Sequence, residues 1–83
     1  MKVRDLLSVW VWQDGAVKIF INTLHNPCGE DIRWEGDLTT ISESGLLDCR
    51  VELFSVDFVK GVNELRIRVD VKTVPVQILG GWI

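Results

Sequence analysis

The chain has no tyrosine, one histidine, two cysteines and two prolines among its 83 residues. Histidine and tyrosine are among the side chains that most often move protons in enzymes, so their scarcity leaves few candidates for acid–base catalysis. No Gly-rich phosphate loop of the Walker type is present either. The sequence therefore predicts a protein that is not an enzyme and that has no catalytic residues.

An excess of positive charge is also absent. Nine Lys and Arg stand against twelve Asp and Glu, and the formal net charge is −3. Proteins that bind duplex nucleic acid need clustered basic residues to neutralise phosphates. We therefore expect no duplex DNA or RNA partner.

Long apolar runs are missing as well. No stretch approaches the roughly 20 apolar residues of a membrane span, and the start, Met1-Lys2-Val3, does not lead into the apolar core of a signal peptide. These features predict a cytoplasmic protein without a membrane partner. Cys28 and Cys49 are then expected as free thiols, and a bridge between them in a secreted domain is the alternative.

The clearest pattern present is a strict alternation over residues 65–71. Apolar and charged side chains alternate there, in the order Leu65, Arg66, Ile67, Arg68, Val69, Asp70 and Val71. Successive side chains of a strand point to opposite faces, so this pattern predicts a strand with one face on a core and one in water. The turn signal Lys60-Gly61-Val62-Asn63 precedes it, and an antiparallel hairpin with the run before the turn is expected.

The remaining patterns predict further short elements. Helical spacing is seen over residues 2–7, and Ser42 to Gly45 are expected to cap one helical turn before Leu46 and Leu47. Strands are predicted over residues 8–12, 16–21, 32–35, 49–59 and 65–71. Ile32 and Trp34 are expected to point toward the core, and Gly36 and Asp37 are expected to bulge or bend the strand that contains them. The fold class is a small, mainly-β (α+β) domain over residues 1–73, with a twisted antiparallel sheet of about five strands.

The C-terminal tail, residues 74–83, is almost entirely apolar. An uncovered apolar tail is a solubility liability, so we expect it to pack on its own domain or on a neighbouring subunit. Pro75 argues against a central strand there. The tail predicts a homo-oligomer, with an interface formed by Val76, Ile78, Leu79, Trp82 and Ile83.

No metal or cofactor site is expected. His25 and Cys28 share a loop with two carboxylates, but the spacing matches no protease signature, and zinc would need four ligands at recognisable spacing. The loop is read as a solvent-facing histidine and a partly buried thiol. The pairs of neighbouring carboxylates are read as solvated strand edges and turns.

Binding of a small ligand has better support. Indole faces can stack on a nucleobase, and guanidinium groups suit phosphates. The candidate ligand-binding residues are Trp10, Trp12, His25, Arg33, Trp34, Arg66 and Arg68. Two alternatives stay open: the tryptophans pack in the core or an interface, and Arg66 and Arg68 pair across strands with Glu52 or Asp57.

Several segments together resemble a known group of proteins. These are residues 1–7 (MKVRDLL), 17–19 (VKI), 34–37 (WEGD), Leu46-Leu47-Asp48 with Ile41 before them, and residues 63–67 (NELRI). The pattern resembles short uncharacterised proteins of phages and mobile elements of Firmicutes. It covers residues 1–71 and consists of turns and strands, so it implies no catalytic residue.

What the resemblance implies is a role in a bacterial host cell. Small acidic phage proteins of this kind are often counter-defence factors. The first hypothesis is an oligomeric sponge that sequesters a small nucleotide signal of CBASS- or Thoeris-type immunity. The alternatives are an inhibitor or adaptor that docks on a host defence protein, as anti-CRISPR proteins do, or a structural module of a mobile element. A sponge predicts converging Trp and Arg side chains, whereas an adaptor predicts a flat apolar patch.

Overall fold

A computed structural model describes residues 1–9, 15–22 and 31–79. Its strands are β1 (Ala16–Ile21), β2 (Asp31–Asp37), β3 (Val51–Val59) and β4 (Val62–Val69), in the sheet order β2-β1-β4-β3. Antiparallel hairpins β1–β2 and β3–β4 are joined by a parallel pairing of β1 with β4. The mainly-β prediction is confirmed, whereas the purely antiparallel sheet is wrong because the two central strands run in the same direction.

The described residues form four strands rather than about five. Ser8 is the last residue of helix α1 (Val3–Ser8), and Val9 caps that helix. The strand predicted over residues 8–12 is therefore wrong at its first two residues, and its other residues lie outside the described part of the chain.

Helix α1 confirms the predicted helix, displaced by one residue. Val3 and Leu6, three positions apart, are both buried against the sheet. The Asp5 carboxylate accepts a hydrogen bond from the Lys2 backbone N–H at 3.0 Å, which satisfies a donor at the helix start. Arg4 Nε donates to Asp48 Oδ1 at 2.7 Å, and this hydrogen bond holds the pKa of Asp48 below its usual range.

The alternation over β4 is confirmed and defines two faces of the sheet. One face, here called the core face, carries side chains that are at most 1% exposed, namely Leu65, Ile67 and Val69 of β4 with Val17, Ile19 and Ile21 of β1. The opposite face, here called the charged face, carries Arg66 and Arg68. Asp70 and Val71 lie beyond the end of β4: Val71 starts a 3₁₀ turn (Val71–Thr73), and the Asp70 carboxylate accepts from Lys72 N–H.

The core face is covered by the segments before, between and after the strands. Buried side chains from these segments are Val3, Leu6, Ile41, Leu46, Cys49 and Val74. Burial raises the pKa of the Cys49 thiol, so it stays protonated and packs as a small apolar group. Helix α2 (Val76–Leu79) follows, and its Ile78 packs against the same core, so this part of the tail covers its own domain.

Strand β2 departs from expectation at both ends. Gly36 and Asp37 continue the strand rather than bending it. Gly36 has no side chain, and this leaves room for the Trp34 indole, whose Cζ2 would lie 2.6 Å from an added Cβ. The register shifts between Ile19 and Phe20, which sets Ile32 opposite Phe20 on the charged face. Ile32 is 40% exposed, so its predicted inward orientation is wrong, whereas Trp34 does pack on the core.

The turn after β2 is organised by Asp37. Its Oδ1 accepts hydrogen bonds from the hydroxyl of Thr39 at 2.6 Å and from that of Thr40 at 3.1 Å, and from both backbone N–H groups. These bonds favour the ionised carboxylate and lower the pKa of Asp37.

A pH dependence follows from Asp37. A pKa that is lower in the folded state stabilises the fold above the unfolded value of about 4, and this stabilisation is lost as the pH falls through the folded value. The gap in melting temperature between the wild type and Asp37→Ala should therefore be widest above pH 4 and shrink below it. Asp37→Asn is the matched control, because its carbonyl still accepts hydrogen bonds but does not titrate. A gap that stays constant down to pH 2 would contradict this role.

None of the helices in the described ranges has the length and apolar character needed to span a bilayer.

Candidate functional site

Among the described residues, the outer strand β3 carries the largest group of exposed apolar side chains. Together with the start of β4 they form what we call the hairpin patch: Leu53, Phe54, Val56, Phe58, Val59 and Val62. Their exposed fractions run from 41% for Leu53 to 72% for Phe58. An exposed apolar group of this size commonly marks an interaction site.

The patch lies on both faces of the hairpin. Phe54 and Val56 are opposite the buried Ile67 and Leu65, so they continue the core face beyond the part that is covered. Val59 pairs with Val62 on the charged face, at the end of the hairpin. The patch is therefore an open end of the sheet with apolar side chains above and below it.

A tight turn holds this hairpin in register. Lys60 and Gly61 both have positive φ, at 52° and 81°, and they form a two-residue connection between Val59 and Val62. Turns of this kind match the twist of the flanking strands and fix the pairing next to them. In such a hairpin the residues beside the turn exchange hydrogen bonds, and alternate residues of the edge strand direct their backbone groups outward.

The outer edge of β3 is covered only at its start. Val51 N–H donates to the Met1 carbonyl at 2.7 Å, and Val3 N–H donates to the Cys49 carbonyl at 3.0 Å. Beyond these contacts, no strand among the described residues pairs with the outer edge from Glu52 onward.

The charged face of the central strands forms a network of ion pairs. Lys18 and Arg66 are directly opposite each other on β1 and β4, and Glu64 lies within 3.6 Å of Lys18 Nζ and 3.7 Å of Arg66 Nε. Asp57 accepts from Arg66 Nη1 at 3.1 Å, and Glu52 lies 3.4 Å from Arg68 Nε. The structure therefore contains the cross-strand alternative: Arg66 pairs with Asp57 and Arg68 pairs with Glu52.

The same face contains one buried aromatic ring. Phe20 is only 7% exposed, and the Arg66 guanidinium lies 6.0 Å from the centre of its ring. A cation over an aromatic face is attracted by the ring quadrupole, so Phe20 helps to orient Arg66. Arg68 Nε is buried and donates no hydrogen bond to the described residues, although it forms an ion pair with Glu52 Oε1 at 3.4 Å.

The predicted Trp and Arg residues do not converge within the described ranges. Trp34 is opposite Ile19 on the core face, whereas Arg66 and Arg68 lie on the charged face, so the sheet separates them. Arg33 pairs with Asp31 through Nη2 and Oδ2 at 2.8 Å. Trp34 therefore follows the core-packing alternative.

Other predicted residues fall elsewhere. Three candidates for ligand binding, Trp10, Trp12 and His25, lie outside the described residues, as do Trp82, Ile83 and the side chain of Leu79. Of the predicted interface, Val76 is 63% exposed and Ile78 packs on its own domain. Within the described ranges, no group of three His, Cys, Asp or Glu residues is close enough to hold a metal ion.

The hairpin patch was not among the residues singled out from sequence. Its signal lies in residues 51–59, where both faces of the strand are mainly apolar and the only charges are Glu52 and Asp57. A strand that is apolar on both faces is expected in the middle of a layered fold, covered on each side. At the edge of a small sheet the same pattern indicates a surface that contacts something else.

Comparison of the chain with protein-family models, with curated proteins and with solved structures found no match.

Proposed function

We propose that this chain is a non-enzymatic binding protein that docks on another protein through the hairpin patch. The observation that carries the proposal is the group of six apolar side chains left open at the end of the sheet. In the setting that the sequence resemblance implies, the partner is a protein of a bacterial defence system, and docking blocks it.

The charges support docking over capture of an anion. Three cations of the charged face, Lys18, Arg66 and Arg68, lie among four carboxylates: Glu35, Glu52, Asp57 and Glu64. A phosphate would have to displace these carboxylates before it could bind, and breaking such pairs costs free energy. An apolar surface needs no such exchange and gains by leaving water.

A nucleotide sponge is the second candidate. It is favoured by the neighbouring cations Lys18 and Arg66, by the position of Arg66 over the Phe20 ring, and by the buried Arg68 Nε, a donor that a phosphate oxygen would satisfy. In this version, an oligomer binds a cyclic dinucleotide or an ADP-ribose-derived signal, and Arg66 and Arg68 hold its phosphates.

One experiment separates the two candidates. The chain is expressed in bacteria that carry a defence system, and the efficiency of phage plating is measured. A panel of CBASS, Thoeris and CRISPR systems is used. Docking predicts that Val62→Lys, which puts a charge in the patch, lowers the rescue of plating at least tenfold. Arg66→Ala with Arg68→Ala should then leave rescue within about twofold of the wild type.

The reverse pattern supports the sponge and contradicts docking. In that case calorimetry with cyclic dinucleotides should detect binding to the wild type and none to the double arginine variant. Arg4→Ala is the control for loss of an arginine, because Arg4 pairs with Asp48 away from both surfaces. A chain that rescues plating in none of the systems would contradict the counter-defence role itself.

A further inference from the structure

We infer that two copies of this chain pair antiparallel along the outer edges of their β3 strands, forming one continuous eight-stranded sheet with a twofold axis at Val56. The occupant of the open edge is thus a second copy. The inference concerns the backbone edge and does not depend on the proposed function, which concerns the side chains of the patch.

The first support is the unprotected state of the edge. Sheet proteins guard exposed edges with proline, with lysine, with charges that point inward or with short strands. β3 is nine residues long, and residues 53–59 contain neither proline nor lysine. Their only charge, Asp57, is paired with Arg66 of the neighbouring strand. Such an edge is suited to pairing with another strand.

The second support is that the open part of the edge has defined ends. It begins at Glu52, because Met1 and Val3 already cover residues 49–51, and it ends at the turn residue Lys60. The midpoint of residues 52–60 is Val56. An antiparallel pair centred on Val56 uses the whole open edge and leaves the N-terminal segments of both copies undisturbed.

The third support is that this register makes every facing pair complementary. Over residues 53–59 the facing pairs, one residue from each copy, are Leu53 with Val59, Phe54 with Phe58, Ser55 with Asp57, and Val56 with Val56. By symmetry two of the pairs join aromatic rings, and no charge faces an apolar side chain. Aromatic pairs across strands are stabilising.

Neighbouring registers lack this complementarity. Centring on Ser55 sets Leu53 against Asp57, so a charge faces an apolar group. Centring on Asp57 brings two carboxylates directly together, which is destabilising. Centring on Phe54 moves the partner onto residues 48–51, where Met1 already occupies the edge.

Backbone geometry agrees with the same register. The two-residue turn makes Val59 and Val62 a hydrogen-bonded pair, and the alternation then directs the backbone groups of Phe54, Val56 and Phe58 outward. Centring on Val56 brings these three residues opposite one another in the two copies, and each pair can exchange two hydrogen bonds. The twofold axis also puts both core faces on the same side, which joins the two hairpin patches into one apolar strip.

The test is the mass of the full-length chain in solution, measured by sedimentation at concentrations from 1 to 200 µM. A dimer is expected in the upper part of this range. Val56→Lys sets two ammonium groups against each other at the axis and should raise the dissociation constant at least tenfold. Val62→Lys is the matched control. Val62 is about as exposed as Val56 but lies on β4, away from the outer edge, so the Val62→Lys variant should still form the dimer.

A second variant tests the register even if Val56→Lys does not fold. Val56→Cys should form a disulfide between two copies on mild oxidation, because hydrogen-bonded partners have Cα atoms about 5.5 Å apart. Phe54→Cys should not, since its counterpart is displaced by four residues, or about 13 Å along the strand. The wild type, with its own two cysteines, measures the background.

Several results would overturn the inference. A wild type that remains a single chain at 200 µM would do so, as would a dimer that Val56→Lys leaves intact. Disulfide formation by Phe54→Cys in preference to Val56→Cys would also overturn it. Loss of the dimer on deleting residues 80–83 alone would assign the contact to the tail. The plating assay tests the proposed function and the sedimentation masses test the dimer, so either proposal can fail without the other.

Discussion

Replacing Ile67 with alanine is expected to lower the free energy of unfolding by about 3–4 kcal/mol. Ile67 is fully buried in β4, where it lies between Ile19 of the parallel neighbour β1 and Phe54 of β3. Truncation removes buried methyl groups and leaves a cavity at the junction of the two hairpins, where regular strands on both sides restrict collapse.

Urea denaturation at one fixed protein concentration measures this loss. Val76→Ala is the control, because Val76 is 63% exposed and its truncation should change the free energy of unfolding by less than about 0.5 kcal/mol. A loss below about 1 kcal/mol for Ile67→Ala would contradict its position at the centre of the core.

Gly15→Ala should destabilise the fold by about 2–3 kcal/mol, for two separate reasons. Gly15 has φ of +135°, a conformation that residues with a side chain rarely adopt. An added Cβ would also lie 2.5 Å from the carbonyl oxygen of Asn63, which is backbone and has little freedom to move. Gly15 thus allows the start of β1 to approach β4 closely.

Gly61→Ala separates the two causes. Gly61 also has positive φ, but no atom lies within 4 Å of its added Cβ, so strain acts there without a clash. We expect a loss of about 1 kcal/mol for this variant in the same denaturation experiment. Equal losses at Gly15 and Gly61 would contradict the close approach of Gly15 to Asn63.

The hairpin β3–β4 could be predicted from sequence because its signals are local. Alternation over residues 65–71 identifies the buried face, and the turn signal over residues 60–63 contains the observed turn at Lys60 and Gly61. Helix α1 and strand β1 were similarly evident from spacing. These features depend on neighbours in the chain, and they are confirmed to within a few residues.

The direction of the central pairing could not be predicted in this way. Alternation assigns faces but does not identify which strand lies beside which. β1 and β4 are direct neighbours in the sheet, although β2 and β3 lie between them in the sequence. Their parallel pairing is set by long-range packing of Ile19 against Ile67. Without that register, the sequence does not reveal that Trp34 and Arg66 lie on opposite faces of the sheet.

The candidate site was missed for a related reason. The apolar run of β3 suggests burial, and only the sheet order identifies it as an edge. The expected tail contact with a neighbouring subunit through Trp82 and Ile83 stays a prediction, while Val74 and Ile78 pack on their own domain.

The central claim, that the outer edge of β3 is a pairing surface, is tested most directly by amide hydrogen exchange of the wild type at low and high protein concentration. We predict that the amides of Phe54, Val56 and Phe58 exchange quickly in dilute solution and become protected as the concentration rises. The amides of Ser55 and Asp57, which face β4, should be protected throughout. Exchange rates of the first three that do not change with concentration would contradict the claim.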